Sequence, residues 1–192
     1  DNTEAVTKAN VDTLNGFTGG LVTVKSISDT VSNITAIDTI SDSEVVMSAA
    51  IVTVTDGASL SNAIAINKMT TGKVTLNAVE DTKDNVLSIL KLDTNEVTMA
   101  NATATITSAI SLSETNSVNE LISGKVTLNS VEDTYSNIQS IKSIPDSQVD
   151  MGAAAVKVSD NVTKTEVDDL RTDTTGAVSY THLTLPTSGG GV

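Results

Sequence analysis

The 192-residue sequence contains no cysteine and no tryptophan, and aromatic residues make up only 2% of it. The absence of cysteine excludes disulfides and thiolate metal sites. With so few aromatic side chains, a hydrophobic core has to be built from Val, Ile, Leu, Ala and Met. Such a core suits thin, regular layers better than a bulky centre, and the length suits one domain or one run of repeats.

Basic residues are also scarce, with 11 Lys and Arg against 24 Asp and Glu and a net charge of −13. Because phosphate binding needs a basic surface, this charge argues against nucleic acid and against anionic lipid. No run of about 18 apolar residues occurs, so we expect no membrane insertion. The sequence has no initiator Met and opens within the repeat described next, so we expect any targeting signal to lie outside it.

A repeat of 52 residues organises most of the chain. The blocks align without gaps as a partial repeat at 1–20, then 21–72, 73–124 and 125–176, whereas residues 177–192 break the pattern. Matching columns include Val22, Val74 and Val126; Met47, Met99 and Met151; and Ala50, Ala102 and Ala154. Periods near this length indicate solenoids, propellers or arrays.

Each block holds two similar halves of about 26 residues, and each half changes its periodicity at a junction. Alternating apolar residues such as Val22 and Val24 predict a strand before the junction. Beyond it the spacing becomes three or four, as in Ile138 and Ile141, which predicts a short amphipathic helix. An Asp or Thr at the junction is expected to cap that helix. Glycines are expected to terminate the second helix of each block, at Gly72, Gly124 and Gly176.

These patterns predict an α/β fold, a repeat solenoid of short parallel strands alternating with short helices, with about two coils per 52-residue unit. Stacked coils would bury one another through parallel ladders, so we expect Val22, Val74 and Val126 to lie in one row. A propeller is the alternative architecture, and the helical spacing after each junction counts against it. The open ends of the stack are expected to fray or aggregate.

The segment that breaks the repeat reads "VSYTHLTLPT" from Val178 to Thr187 and holds the only histidine, His182. It resembles the translated adapter of a transposase-based sequencing library. The resemblance implies that residues 177–192 are a non-native tail and that His182 has no function. A genuine linker is the alternative.

Three related segments, "ISDTVSNITAI", "VEDTKDNVLSI" and "VEDTYSNIQSI", cross the first junction of the three blocks. They resemble the V-S-D-T-x-x-N-I repeats of very large bacterial surface and secreted proteins, and "VTVTDGASL" resembles the companion motif of the second half. The resemblance implies an adhesin-like or surface-layer-like protein at the cell surface or outside the cell. That family has no catalytic residues to transfer, and the calcium nonapeptide G-G-x-G-x-D-x-U-x is absent here.

Acidic residues recur where strands give way to helices, at Asp29, Asp56, Asp81, Asp133 and Asp160, with Ser108 in the remaining coil. Stacked coils would place these carboxylates in columns, which is a surrounding that hard cations favour. A backbone-rich ligand loop is missing, however, and helix capping explains the same residues more simply. We therefore assign no metal ligand and no cofactor, with weak calcium binding as the alternative.

No catalytic residue is assigned either. Ser–His catalysis needs a histidine base, and the only histidine lies in the tail. The pairs Glu80-Asp81 and Glu132-Asp133 could act as acid and base, but they recur with the repeat, as caps do and active sites rarely do. Threonine pairs such as Thr53 and Thr55 could order water on a flat face, but the third copy has Lys157 and Ser159 instead.

The sequence therefore predicts a structural repeat module, a stalk, spacer or adhesive surface, of a large extracellular bacterial protein without catalysis. Its expected partners are adjacent repeats of the same chain and cell-surface or matrix components. The alternative is a calcium-responsive or ligand-binding repeat module that uses the acidic junctions.

Overall fold

The computed structural model describes residues 4–99, 101–181 and 183–184. Helices occupy α1 (Lys8–Phe17), α2 (Val31–Asp38), α3 (Leu60–Met69), α4 (Lys83–Ile89), α5 (Leu112–Leu121), α6 (Tyr135–Lys142) and α7 (Lys164–Asp173). Strands occupy β1 (Val22–Thr23), β2 (Ser26–Asp29), β3 (Val45–Val46), β4 (Ile51–Ala58), β5 (Val74–Asp81), β6 (Val97–Thr98), β7 (Thr103–Ile110), β8 (Val126–Asp133), β9 (Val149–Asp150), β10 (Ala155–Val158), β11 (Val162–Thr163), β12 (Val178–Tyr180) and β13 (Leu183–Thr184).

The main sheet is parallel, and its strands follow one another in chain order as β2, β4, β5, β7, β8, β10 and β12. Parallel neighbours need a crossover connection, and here a helix supplies each crossover from β2 to β12. The short strands β6 and β9 pair with β5 and β8. The α/β class is thereby confirmed, and the sequential strand order is the one that stacked coils require.

Every helix begins at a hydroxyl side chain that caps its first turn. The hydroxyl oxygen accepts the backbone N–H of the third helical residue. The caps are Thr7, Thr30, Ser59, Thr82, Ser111, Thr134 and Thr163. In α1, α3, α5 and α7 the side chain of the third helical residue also accepts the backbone N–H of the N-cap residue, which completes a capping box. In each of the seven described helices the N-cap is thus Thr or Ser and not Asp.

The core forms between the row of helices and one face of the sheet. In β4 the side chains of Val52, Val54 and Ala58 are buried, whereas Ile51 and Thr55 are exposed. Helices contribute apolar residues three positions apart, such as the fully buried Ile34 and Ile37 of α2. Consecutive helices from α1 to α6 pack against each other. One face of the sheet therefore lies under the helices, and the other is polar.

The strands are staggered, so the expected single row of Val22, Val74 and Val126 was wrong. Val74 pairs with Val52 and Val97, whereas Val126 pairs with Ala104 and Val149. The row of Val126 continues from Ala104 to Val79, further along β5 than Val74. The reason is that β7 pairs with the second half of β5, while the first half of β5 pairs with β6. The three valines therefore hold equivalent places in successive rows.

A bulge interrupts the pairing of two second-half strands, β4 and β7. The register shifts between Val54 and Gly57 of β4, and between Ile106 and Ala109 of β7. The extra residue breaks the alternation of side chains and turns the strand locally. Asp56 and Ser108 lie within these two bulges, so the bulge sets the direction of the junction side chain.

The repeated glycines allow two backbone segments to pass close to each other. The prediction that they terminate helices was wrong. The helices α3, α5 and α7 end before them, and no glycine in the described part of the chain has a positive φ. A Cβ added at Gly124 would lie 2.0 Å from the carbonyl oxygen of Ala102. The same holds for Gly72, at 2.2 Å from Ala50 O, and Gly176, at 2.1 Å from Ala154 O. Only glycine lets the chain pass this backbone.

A buried threonine hydroxyl reinforces two of these crossings. The hydroxyl of Thr70 donates to the carbonyl oxygen of Ala50 at 2.5 Å and accepts the backbone N–H of Gly72 at 2.9 Å. Thr174 makes the same two bonds with Ala154 and Gly176. Ile122 occupies this position in the middle unit.

Replacing Gly124 by Ala is expected to lower the free energy of unfolding by about 1–3 kcal/mol, because backbone atoms must move to admit the methyl group. Urea denaturation followed by circular dichroism measures the change. Gly19→Ala is the matched control, since a Cβ there meets nothing within 4 Å. Equal losses of stability in both variants would show that close approach is not the reason for glycine.

Candidate functional site: the strand-to-helix junctions

The junction side chains bind the helix of the preceding coil. Each one accepts the backbone N–H of the first residue of that helix, and we call this contact the junction bridge. The six bridges are Asp29 Oδ2 to Lys8 N (2.8 Å), Asp56 Oδ1 to Val31 N (2.8 Å), Asp81 Oδ2 to Leu60 N (2.9 Å), Ser108 Oγ to Lys83 N (3.0 Å), Asp133 Oδ2 to Leu112 N (2.9 Å) and Asp160 Oδ1 to Tyr135 N (2.8 Å).

The three first-half carboxylates also hold the start of the helix that follows them. In Asp133, Oδ1 accepts the backbone N–H of Thr134 and the side-chain amide of Asn137, both at 2.8 Å. Asp29 and Asp81 repeat this arrangement with the next threonine and the asparagine four residues on. Each of these carboxylates therefore joins two helices from adjacent coils.

The bridges give the first N–H of a helix an acceptor that the helix itself cannot supply. The first four N–H groups of a helix have no partner within it. The N-cap hydroxyl takes the third N–H, and the junction bridge takes the first one from a different coil. Negative charge beside a helix N-terminus is also favourable, because the helix dipole is positive there. The prediction that Asp or Thr caps the helix is confirmed for Thr30, Thr82 and Thr134. It was wrong for Asp, whose side chain instead accepts the first N–H of the preceding helix, as Asp81 and Asp133 do.

The pKa values of the three first-half carboxyls lie below the usual 3.8. Partial burial raises the pKa of Asp133, but the bonds from Leu112 N, Asn137 and Thr134 N outweigh burial and lower it. The same balance, with Asn33 or Asn85 as the strongest donor, lowers the pKa of Asp29 and Asp81. These groups are ionised at neutral pH, whereas a general acid or base works best with a pKa near the working pH.

The described residues do not assemble a metal site. Within 4–99, 101–181 and 183–184, no group of three or more His, Cys, Asp or Glu residues is placed to hold an ion. Calcium needs six to eight oxygen ligands. At the first-half junctions both carboxylate oxygens already accept N–H donors.

The acidic pairs proposed as acid and base do not converge. Successive strand residues point to opposite faces, so Glu80 and Asp81 diverge, as do Glu132 and Asp133. Glu80 is exposed on the open face of the sheet, while Asp81 bridges to α3. Glu132 forms an ion pair on the same open face, with Lys157 Nζ at 2.6 Å from its Oε1 atom. The geometry therefore places the two carboxylates of each pair on opposite faces, where they cannot act together on one substrate.

Threonines form short rows on the open face and not a continuous plane. One row contains Ser28, Thr53, Thr75 and Thr98. The next contains Glu80, Thr105, Thr127 and Asp150, so acidic residues lie at both of its ends. Thr23 pairs with Val46 and lies in neither row. Thr23, Thr75 and Thr127, which are equivalent in the repeat, therefore lie in three different rows.

An open cleft in the described part of the chain lies away from the junction residues. This cleft of about 400 Å³ lies beside Ser48, Thr70 and Glu96. In the described part of the chain no buried side-chain nitrogen or oxygen lacks a hydrogen-bond partner. None of the described helices has the length and apolar character that a membrane span requires.

The unusual C-terminal segment lies partly within the described residues. Val178–Tyr180 forms β12 and pairs in parallel with β10, in the position that the repeat assigns to a first-half strand. His182 and residues 185–192 lie outside the described residues, so the interpretation of His182 stays a prediction.

Comparison with known proteins gives no relative: no family model, no curated protein and no solved structure matches the chain. The junctions must therefore be interpreted from their own geometry. Sequence reasoning missed their role between coils, although one signal was present. The bridged residues lie 21 or 25 positions apart in every case, close to the length of one coil.

Removing one bridge is expected to destabilise the fold. Asp133→Ala deprives Leu112 N and Thr134 N of their acceptor, so the free energy of unfolding at neutral pH should fall by about 0.5–2 kcal/mol. The control Asp42→Ala removes the same charge from an exposed loop position and should change nothing measurable. Chemical denaturation of both variants supplies the comparison.

The pH dependence gives a second measurement for the same variant. Because the folded pKa of Asp133 is lowered, its contribution is present above the unfolded pKa of 3.8 and is lost as the pH falls through the folded value. The difference between wild type and Asp133→Ala should therefore shrink between about pH 5 and about pH 2. A difference that stays constant over this range would contradict a charged bridge.

Proposed function

We propose that this chain is a structural repeat module, a stalk, spacer or adhesive surface, of a large extracellular bacterial protein, and that it performs no catalysis. The observation that supports this most strongly is the use of the conspicuous acidic residues. They are the acceptors of the junction bridges, which tie each coil to the next, in five of the six bridges.

A stalk or spacer needs continuity along the stack, and the bridges provide it. In repeat arrays, stability is the sum of the repeats and of their nearest-neighbour interfaces. Here the first N–H of a helix finds its acceptor only when the following coil is in place. Coils that satisfy one another in this way suit a protein that must keep its length.

The extracellular setting follows from the resemblance to V-S-D-T-x-x-N-I repeats. An acidic surface with a net charge of −13 is compatible with it, because like charge keeps long molecules apart in solution. The partners are then adjacent repeats of the same chain, with cell-surface or matrix components on the polar face. That face carries the threonine rows and the Glu132–Lys157 pair.

Duplicating one unit tests the spacer role. Insertion of a second copy of residues 73–124 after Gly124 should lengthen the particle by at least about 10 Å, because it adds two strands at about 4.8 Å each. Its cross-section should stay constant. Small-angle X-ray scattering measures both quantities. A longer chain that becomes wider in all directions would contradict the proposal.

A calcium-responsive repeat module is the second candidate, and the lowered pKa values favour considering it because Asp29, Asp81 and Asp133 stay charged at neutral pH. If the chain is a scaffold, calcium should release no heat in calorimetric titration and should leave the melting temperature unchanged. Magnesium and sodium chloride at equal ionic strength are the controls. Saturable heat with a raised melting temperature for calcium alone would support the second candidate.

A further inference from the structure

The N-terminal end of the stack exposes apolar residues that are buried everywhere else in the repeat. Leu14 of α1 is 51% exposed. The residues at the same repeat position in α3, α5 and α7 are fully buried, each with 0% exposure: Ile66, Val118 and Leu170. Since the side chains are of similar kind, the difference comes from what covers them.

The strand at this end also has fewer paired neighbours than the equivalent strands of the later units. At equivalent positions, Val74 lies between Val52 and Val97, and Val126 lies between Ala104 and Val149. Val22 of β1 has a paired neighbour on one side, Val45 of β3, among the described residues. Val22 is also partly exposed, whereas Val74 and Val126 are buried.

Together these residues form a groove of about 250 Å³ lined by Val6, Val11, Leu14, Val22 and Val24. Its walls are a helix and a strand edge that faces outward. A partner must therefore supply both an apolar helix face and a strand that pairs in parallel. Strand addition to an exposed edge is a common mode of recognition, because main-chain hydrogen bonds give affinity and alternate side chains give specificity.

We infer that this end is a docking surface for another coil of the same repeat. Within the chain, α3 is covered by α2 and α5 by α4, and the strands β4 and β7 pair with β5 and β8 at the corresponding places. The surface at Leu14 and Val22 is the continuation of that interface. The inference rests on the proposed scaffold function and deepens it, because it names the surface that takes the adjacent repeat.

The segment 125–159 of this chain has the chemistry that the groove requires. It provides α6, with Ile138 and Ile141 buried on one face, and β10, whose Val156 is the equivalent of the Val52 that pairs with Val74. Residue 160 lies three 52-residue periods after residue 4. Joining residues 125–159 directly to residue 4 of the full chain therefore places one added coil in register ahead of α1.

The absence of cysteine makes a direct test available. Leu14→Cys creates a single thiol, and its rate of labelling by a maleimide in native conditions reports whether position 14 is covered. The thiol should react rapidly in the full chain. With the added coil the labelling rate should fall by a factor of at least about ten, because access to the thiol then requires local opening.

The matched control carries Ile138→Asp and Ile141→Asp in the added copy only, which keeps its length but removes its apolar helix face. Labelling should stay rapid there, and circular dichroism should show extra helix for the intact addition alone. Rapid labelling despite the intact addition, folded or unfolded, would overturn the inference. So would a thiol that is already protected in the monomeric full chain, since the end would then be covered without an added coil. Duplication of 73–124 within the chain tests the scaffold role independently of this end.

Discussion

The hydrogen bond from the first N–H of each helix from α1 to α6 to a side chain of the next coil is the contact on which the architecture depends. Short helices of two to three turns are marginal by themselves, because few internal bonds offset the cost of nucleation. The N-cap hydroxyl satisfies one N–H of the first turn. The bridge satisfies another and comes from outside the coil. A helix in this chain is therefore complete only as part of a stack.

Two features of the backbone put the bridging side chains in place. The bulges at Asp56 and Ser108 turn the second-half strands where the regular alternation would point a side chain elsewhere. Glycines such as Gly124 let the chain cross a neighbouring carbonyl at a distance that no Cβ permits. The bulge recurs in β4 and β7 and the glycine in all three units, so similar local geometry recurs along the chain and gives five acidic residues the same structural use.

Periodicity predicted the α/β class and the alternation of parallel strands with helices, because both depend on the local spacing of apolar residues. The role of Asp81 could not be predicted, because its partner Leu60 lies in another coil and only the packing brings them together. The stagger that separates Val74 from Val126 depends on which half of β5 meets β7, which no local pattern specifies. Gly124 was misread because sequence alone does not distinguish a glycine needed for φ from one needed for space.

Amide hydrogen exchange at the helix N-termini, measured residue by residue by NMR, tests the junction bridge most directly. First-turn N–H groups usually exchange quickly because they lack partners. If the bridges exist, Leu60 and Leu112 exchange slowly, whereas the next amides, Ser61 and Ser113, exchange quickly because the described part of the chain offers them no acceptor. Equally rapid exchange at both positions of both helices would contradict the account.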